Sequence, residues 1–160
     1  METVVDLLPK EYGFVVAVFV VYMIMNFWMA ISVGQARKKY NVMYPTMYAI
    51  ESENKNAKPF NCVQRGHQNS LEMMPTFFAT LLVSGIHHPL IASTLGSLYT
   101  ISRFFYFKNY SLGEPSKRFA GIGAVSLPSL MALIVCTGSL AVHLLKRETW
   151  FQSSADIPSP

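Results

Sequence analysis

The densest run of chemistry-bearing side chains is Arg65-Gly66-His67-Gln68-Asn69-Ser70-Leu71-Glu72. At about 100° per helical residue, Arg65, Asn69 and Glu72 fall on one face, with Gln68 at its edge and His67 roughly opposite. A second stripe places Arg103, Tyr106 and Tyr110 at i, i+3 and i+7. Arginine stays charged and grips a carboxylate through two parallel hydrogen bonds, which a point charge cannot imitate. Glu72, the one acid among these residues, suits an ammonium. Arg37, Lys38, Lys117 and Arg118 fall at the same level of the chain and leave positive charge in excess. The plain alternative is an internal pair, Arg65 or Arg103 with Glu72, that only joins helices. One carboxylate cannot absorb so many cations, so the pattern implies a small ligand with two carboxylates and one ammonium. Glutathione is such a ligand.

These stripes need elements to carry them, and the composition says what those elements face. Of 160 residues, 51% are hydrophobic and only 14% charged, against about a quarter charged in ordinary soluble domains. The net charge of +4 lies beside apolar runs, which reads as membrane-flanking charge and not as a nucleic-acid surface. No charge interrupts Tyr12 to Ala36 or Phe119 to Leu145, and about 20 apolar residues suffice to cross a bilayer. The leader holds Glu2, Asp6 and Glu11, unlike a signal peptide. Two further spans must include Arg65, Glu72 and Arg103, and charges so placed face a cavity or a partner. The expected fold is therefore all-α, an integral membrane four-helix up-down bundle over 1–148. Its spans run at about 11–36, 60–86, 89–108 and 118–145, followed by a disordered tail over 149–160.

His87-His88-Pro89 reads as a tight connector, and Asn41 to Pro59 and Asn109 to Ser116 as polar ones. The side with both long connectors holds eight Lys and Arg, from Arg37 to Arg118, against Lys10, Lys146 and Arg147 opposite. That bias puts the connectors in the cytosol and both termini in the lumen. Cys62 and Cys136 give no disulfide framework and no metal spacing. Pro75 and Pro128 read as kinks, and Trp28 and the Met-rich stretches as packing or lipid contact.

The segments Ala36-Arg37-Lys38-Lys39-Tyr40, Arg65 to Pro75 and Tyr106-Phe107-Lys108-Asn109-Tyr110 resemble the MAPEG family, membrane-associated proteins in eicosanoid and glutathione metabolism. Phe60 to Arg65 and Gly113 to Arg118 look most like its microsomal glutathione S-transferase branch. The resemblance implies a homotrimer with glutathione bound between subunits near the cytosolic face. It implies that Arg37, Arg65, Gln68, Asn69, Glu72, Tyr106 and Tyr110 bind glutathione, and that Arg118 and Lys38 are catalytic. Met73 and Lys38 stand where leukotriene-forming members have tyrosine and a second arginine. Their catalytic offset lands on Lys117; Arg118 is favoured because Gly113 and Pro115 can absorb one residue. The implied activity is a glutathione S-transferase and glutathione-dependent lipid hydroperoxide peroxidase, extending to leukotriene-type conjugation. Its substrates would be electrophilic or peroxidised lipids and its surroundings membrane lipid, with no metal and no nucleic acid. The endoplasmic reticulum, or the outer mitochondrial membrane, is the implied location. A non-catalytic lipid-binding scaffold is the alternative within the same family.

Overall fold

The structure, a computed structural model, describes residues 4–155. Four long helices dominate it: α1 (Tyr12–Tyr40), α2 (Ala57–His87), α3 (Pro89–Tyr110) and α4 (Ser126–Ala155). Short 3-10 turns cover Val4–Leu7, Pro115–Phe119 and Gly121–Val125. The helices α2 and α3 pack against each other, and α1 and α4 each pack against both. His88 alone separates α2 from α3, and Pro89 supplies the first residue of α3. That position suits proline, whose missing N–H is unneeded there. Pro75 sits inside α2, which nonetheless runs on to His87.

Within the bundle, Tyr22, Phe77, Phe78 and Tyr99 form an aromatic cluster, Phe77 and Tyr99 stacking at 4.3 Å between centroids. Leu81 and Met29 extend it on α2 and α1, all but Phe78 fully buried. Trp28 packs on Phe104 and Phe107, the packing role expected of it. Small residues set the helix spacing, as in membrane bundles: Ser70, Ser84 and Ser102 are fully buried, and a Cβ on Gly96 would lie 2.7 Å from Leu81. The outer surface is the reverse of a soluble protein's, with Phe14, Ile24, Phe27 and Val135 exposed. Among the described residues, two helical stretches are long and apolar enough to cross a membrane, Tyr12–Tyr40 and Gly121–Glu148. Such surface is stable against lipid chains and not against water.

Two boundaries differ from those expected. The chain from Pro115 to Val125 forms two 3-10 turns instead of the start of α4. Gly121 adopts φ +58°, a left-handed conformation that a regular helix cannot include. At the other end α4 continues to Ala155, through residues expected to be a tail, because no Pro or Gly intervenes before Pro158. The rest of that expected tail, 156–160, lies outside the described residues.

The 41–56 connector is anchored from α2. Asn61 accepts from the Ala49 N–H at 2.8 Å and donates to the Ala49 carbonyl at 2.9 Å. Asn41, in the left-handed conformation, caps α1 through its N–H to the Arg37 carbonyl.

Candidate functional site

A cavity of about 340 Å³ opens between α2, α3, the 115–119 turn and the first turns of α4. Its chemistry is graded along the helices. At the connector end stand Arg65, Tyr110 and Arg118; in the middle Asn69, Arg103 and Tyr106; at the far end Met73, Tyr99, Leu127 and Leu130. A polar mouth and an apolar floor therefore share one space.

Arg65 Nη1 donates to Glu72 Oε1 at 2.6 Å, and Asn69 Nδ2 donates to Glu72 Oε2 at 3.4 Å. Both members of the ion pair are 40% exposed, so the bond adds little to stability. It does hold an arginine, an amide and a carboxylate in one fixed row. Two turns of helix separate Arg65 from Glu72, which is how the i, i+4, i+7 spacing brings them together.

Arg103 is 3% exposed. Its Nη2 donates to Asn69 Oδ1 at 3.0 Å and Ser70 Oγ at 2.8 Å, and its guanidinium lies 4.1 Å from the Tyr106 ring. Tyr106 meets Tyr110 and Phe119 edge to face. Tyr110 ends α3, beyond the apolar part of that helix. Burial, then its neighbour Tyr106, raises its hydroxyl pKa, with Arg118 and Arg65 opposing. The phenol is a neutral O–H donor at physiological pH.

Arg118 comes from the 3-10 turn between α3 and α4. Its Nη1 donates to the Pro115 carbonyl at 2.7 Å, and its guanidinium lies 5.0 Å from the Phe119 ring. Gly123 lets this turn sit close: a Cβ there would lie 2.6 Å from the Arg118 carbonyl oxygen and 3.5 Å from Tyr106 Cα. Lys117, the neighbour at the family's usual offset, pairs instead with Glu114 at 2.9 Å, and it does not line the cavity.

Of the residues proposed from the sequence, Arg65, Asn69, Tyr106, Tyr110 and Arg118 line this cavity, and Glu72 adjoins it through Arg65. Arg37, Lys38 and Gln68 lie elsewhere on the same chain. Arg37 is buried, donates to the Thr46 carbonyl at 2.8 Å and is flanked by the Tyr44 and Phe60 rings. Lys38 is exposed and lines a separate groove with Arg37, and Gln68 accepts from the Tyr48 hydroxyl. Arg103 belongs to the cavity though it was not among those site residues. Its signal was present in the sequence, as the first member of the stripe with Tyr106 and Tyr110.

With this geometry, comparisons with known proteins become informative. Residues 15–139 match the MAPEG family, and the chain belongs to that family of membrane-associated proteins. Among curated proteins it is 33% identical over 116 residues to microsomal glutathione S-transferase 2 of Homo sapiens, covering 72% of each chain. The Bos taurus protein of the same name is 31% identical over 116 residues, 72% of this chain and 73% of that one. An uncharacterised Synechocystis protein, sll1147, is 33% identical over 113 residues, 70% of this chain and 74% of its own. The segments Phe60 to Arg65 and Gly113 to Arg118 look most like type 3 members, whereas the named relatives here are of type 2.

Proposed function

We propose that this protein is a membrane-bound glutathione S-transferase that also reduces lipid hydroperoxides with glutathione. The observation that carries the reading is the graded cavity, with Arg65, Tyr110 and Arg118 at its mouth and Leu127 and Leu130 at its floor. A hydrophilic thiol and an apolar electrophile can meet there. The relatives named microsomal glutathione S-transferase 2 supply the thiol's identity.

In this reading glutathione is the co-substrate. Its ammonium takes Glu72, which frees Arg65 for a carboxylate, while Asn69, Tyr106 and Tyr110 line the tripeptide. Arg118 faces the sulfur. A free thiol has a pKa near 8.5, so little is ionised at pH 7. A guanidinium in a water-poor site favours the thiolate, and each unit of depression corresponds to about 1.4 kcal/mol. The thiolate is the attacking species. On an electrophilic carbon a C–S bond forms as the leaving group departs with its electron pair, which is also how leukotriene-type conjugation would proceed. On a hydroperoxide an S–O bond forms as the O–O bond breaks. The alkoxide takes a proton from water, and the sulfenic acid reacts with a second glutathione to give disulfide and water.

Arg37, Lys38 and Gln68 face away from the cavity, so on one chain the site is incomplete. A homotrimer, with glutathione between neighbours, lets Arg37 of one subunit hold a carboxylate at the site of the next, with Lys38 beside it as a catalytic group. All four helices then span the membrane. Both termini are luminal and the cavity mouth is cytosolic, in the endoplasmic reticulum or the outer mitochondrial membrane. Turnover of an aryl chloride and of a lipid hydroperoxide by purified protein with glutathione tests the reading. Both reactions should run and both should fail in Arg65→Ala. Glutathione binding with neither reaction would make the chain a lipid-binding scaffold instead.

A further inference from the structure

The mouth of the cavity is electrically closed on itself, since Arg65 is answered by Glu72. The middle is not. Arg103 is 3% exposed and lines the cavity, yet every group it meets is neutral: Asn69 Oδ1, Ser70 Oγ and the Tyr106 ring. Among the described residues the carboxylates in ion pairs belong to Glu72, held by Arg65, and Glu114, held by Lys117. The Arg103 Nε is buried with no hydrogen-bond partner at all. A guanidinium kept from water without an anion is costly, and such a charge in a cleft is a mark of function more than of packing.

We propose that Arg103 is an anion seat at the junction of the polar and apolar halves of the cavity. It receives the negative charge that exists only while the reaction is under way. The inference rests on the glutathione chemistry proposed above. Asn69 and Ser70 hold the fork from one side through Nη2, and the Tyr106 ring backs it. Its remaining edge is left to the cavity. Arg103 lies about seven residues of helix, roughly 10 Å, inward of Tyr110, between the mouth and the Leu127 and Leu130 floor. Only the reacting atoms of a thiol and a lipid meet at that depth. Two anions arise there, the sulfur thiolate before attack and the alkoxide oxygen that leaves a hydroperoxide after it. The shared chemistry is a compact anion next to a fixed guanidinium.

The test compares wild type with Arg103→Met and Arg103→Lys in detergent. It reads the pH midpoint of bound-thiolate absorbance and the rates with 1-chloro-2,4-dinitrobenzene and with cumene hydroperoxide. If the seat holds the thiolate, Arg103→Met raises the midpoint by a pH unit or more and slows both reactions at least tenfold, and Arg103→Lys recovers part of each. If it holds the departing oxygen, the midpoint stays. Peroxide reduction then falls at least tenfold while the aryl chloride reaction stays within twofold, again with recovery in Arg103→Lys. Either result supports an anion at Arg103. Unchanged midpoints and rates in both variants overturn it, as do equal losses in both variants on every readout, which would mark a packing role. Should Arg103→Met fail to assemble, Arg103→Lys alone carries the decision: a shifted midpoint or a selective peroxide loss supports the seat, and wild-type behaviour overturns it. Wild type that binds no glutathione sinks the underlying function. Binding with no dependence on Arg103 sinks the seat alone.

Discussion

Gly123→Ala should damage catalysis while touching no substrate. The added Cβ would lie 2.6 Å from the Arg118 carbonyl oxygen, about 0.8 Å inside the 3.4 Å at which ordinary contact begins. Retreat is blocked on the other side, where Tyr106 Cα and N are already 3.5 Å away. Both neighbours are backbone, so neither can rotate aside. The relief must come from the 115–119 turn, which carries Arg118 and its bond to the Pro115 carbonyl. A displacement near 1 Å can cost about 10²-fold in rate, and overpacking costs about 1–3 kcal/mol of stability. The assay is steady-state conjugation of an aryl chloride, with thermal unfolding alongside. A fall in kcat of roughly 10- to 100-fold is expected, with a smaller change in the KM for glutathione, because Arg65 and Asn69 belong to α2. Gly138→Ala is the control, since nothing lies within 4 Å of its added Cβ. Wild-type kcat in a folded Gly123→Ala protein would refute the argument that the turn's close seat sets the position of Arg118.

Three further outcomes follow from the same structure. Phe77→Ala, which empties the centre of the Tyr22–Tyr99 aromatic cluster, should destabilise the protein by about 3–5 kcal/mol, read as lowered thermal stability in detergent. Asn61→Ala removes both hydrogen bonds to Ala49 and should speed proteolysis within 41–56 severalfold, while unfolding of the whole bundle shifts little. Co-assembling Arg37→Ala with Arg65→Ala subunits should restore activity at about a quarter of the interfaces in a random mixture. Each variant alone stays inactive, and no recovery on mixing would place both residues in one subunit's site.

Legibility in the sequence tracked the kind of signal. The spans expected at 11–36, 60–86 and 89–108 correspond to α1, α2 and α3, because uninterrupted apolar runs and a His-Pro turn leave few alternatives. The approach to α4 was misplaced because hydropathy continues smoothly through Gly121 and Gly123. What stops the helix there is backbone conformation, φ +58° at Gly121, which apolar counting does not register. At the site, helical spacing correctly grouped Arg65, Asn69 and Glu72, since all three share one helix. The cavity also draws on Arg118 from a turn and Ser126 from α4, and no periodicity links those to α2. Arg103 shared a stripe with Tyr106 and Tyr110, but its isolation from any carboxylate is a fact of three-dimensional packing. The same limit applies to Gln68: its place on the helix wheel did not reveal that the Tyr48 hydroxyl, from a connector, would reach it.

The central claim is that this cavity holds glutathione as an activated thiolate, and its ultraviolet absorbance reports that species directly. Purified wild-type protein titrated with glutathione near neutral pH should develop the thiolate band, and Arg118→Ala should bind the tripeptide with the band lost or moved at least one pH unit higher. Glutathione that binds wild type without any thiolate band, or a band of equal strength in Arg118→Ala, would contradict the account.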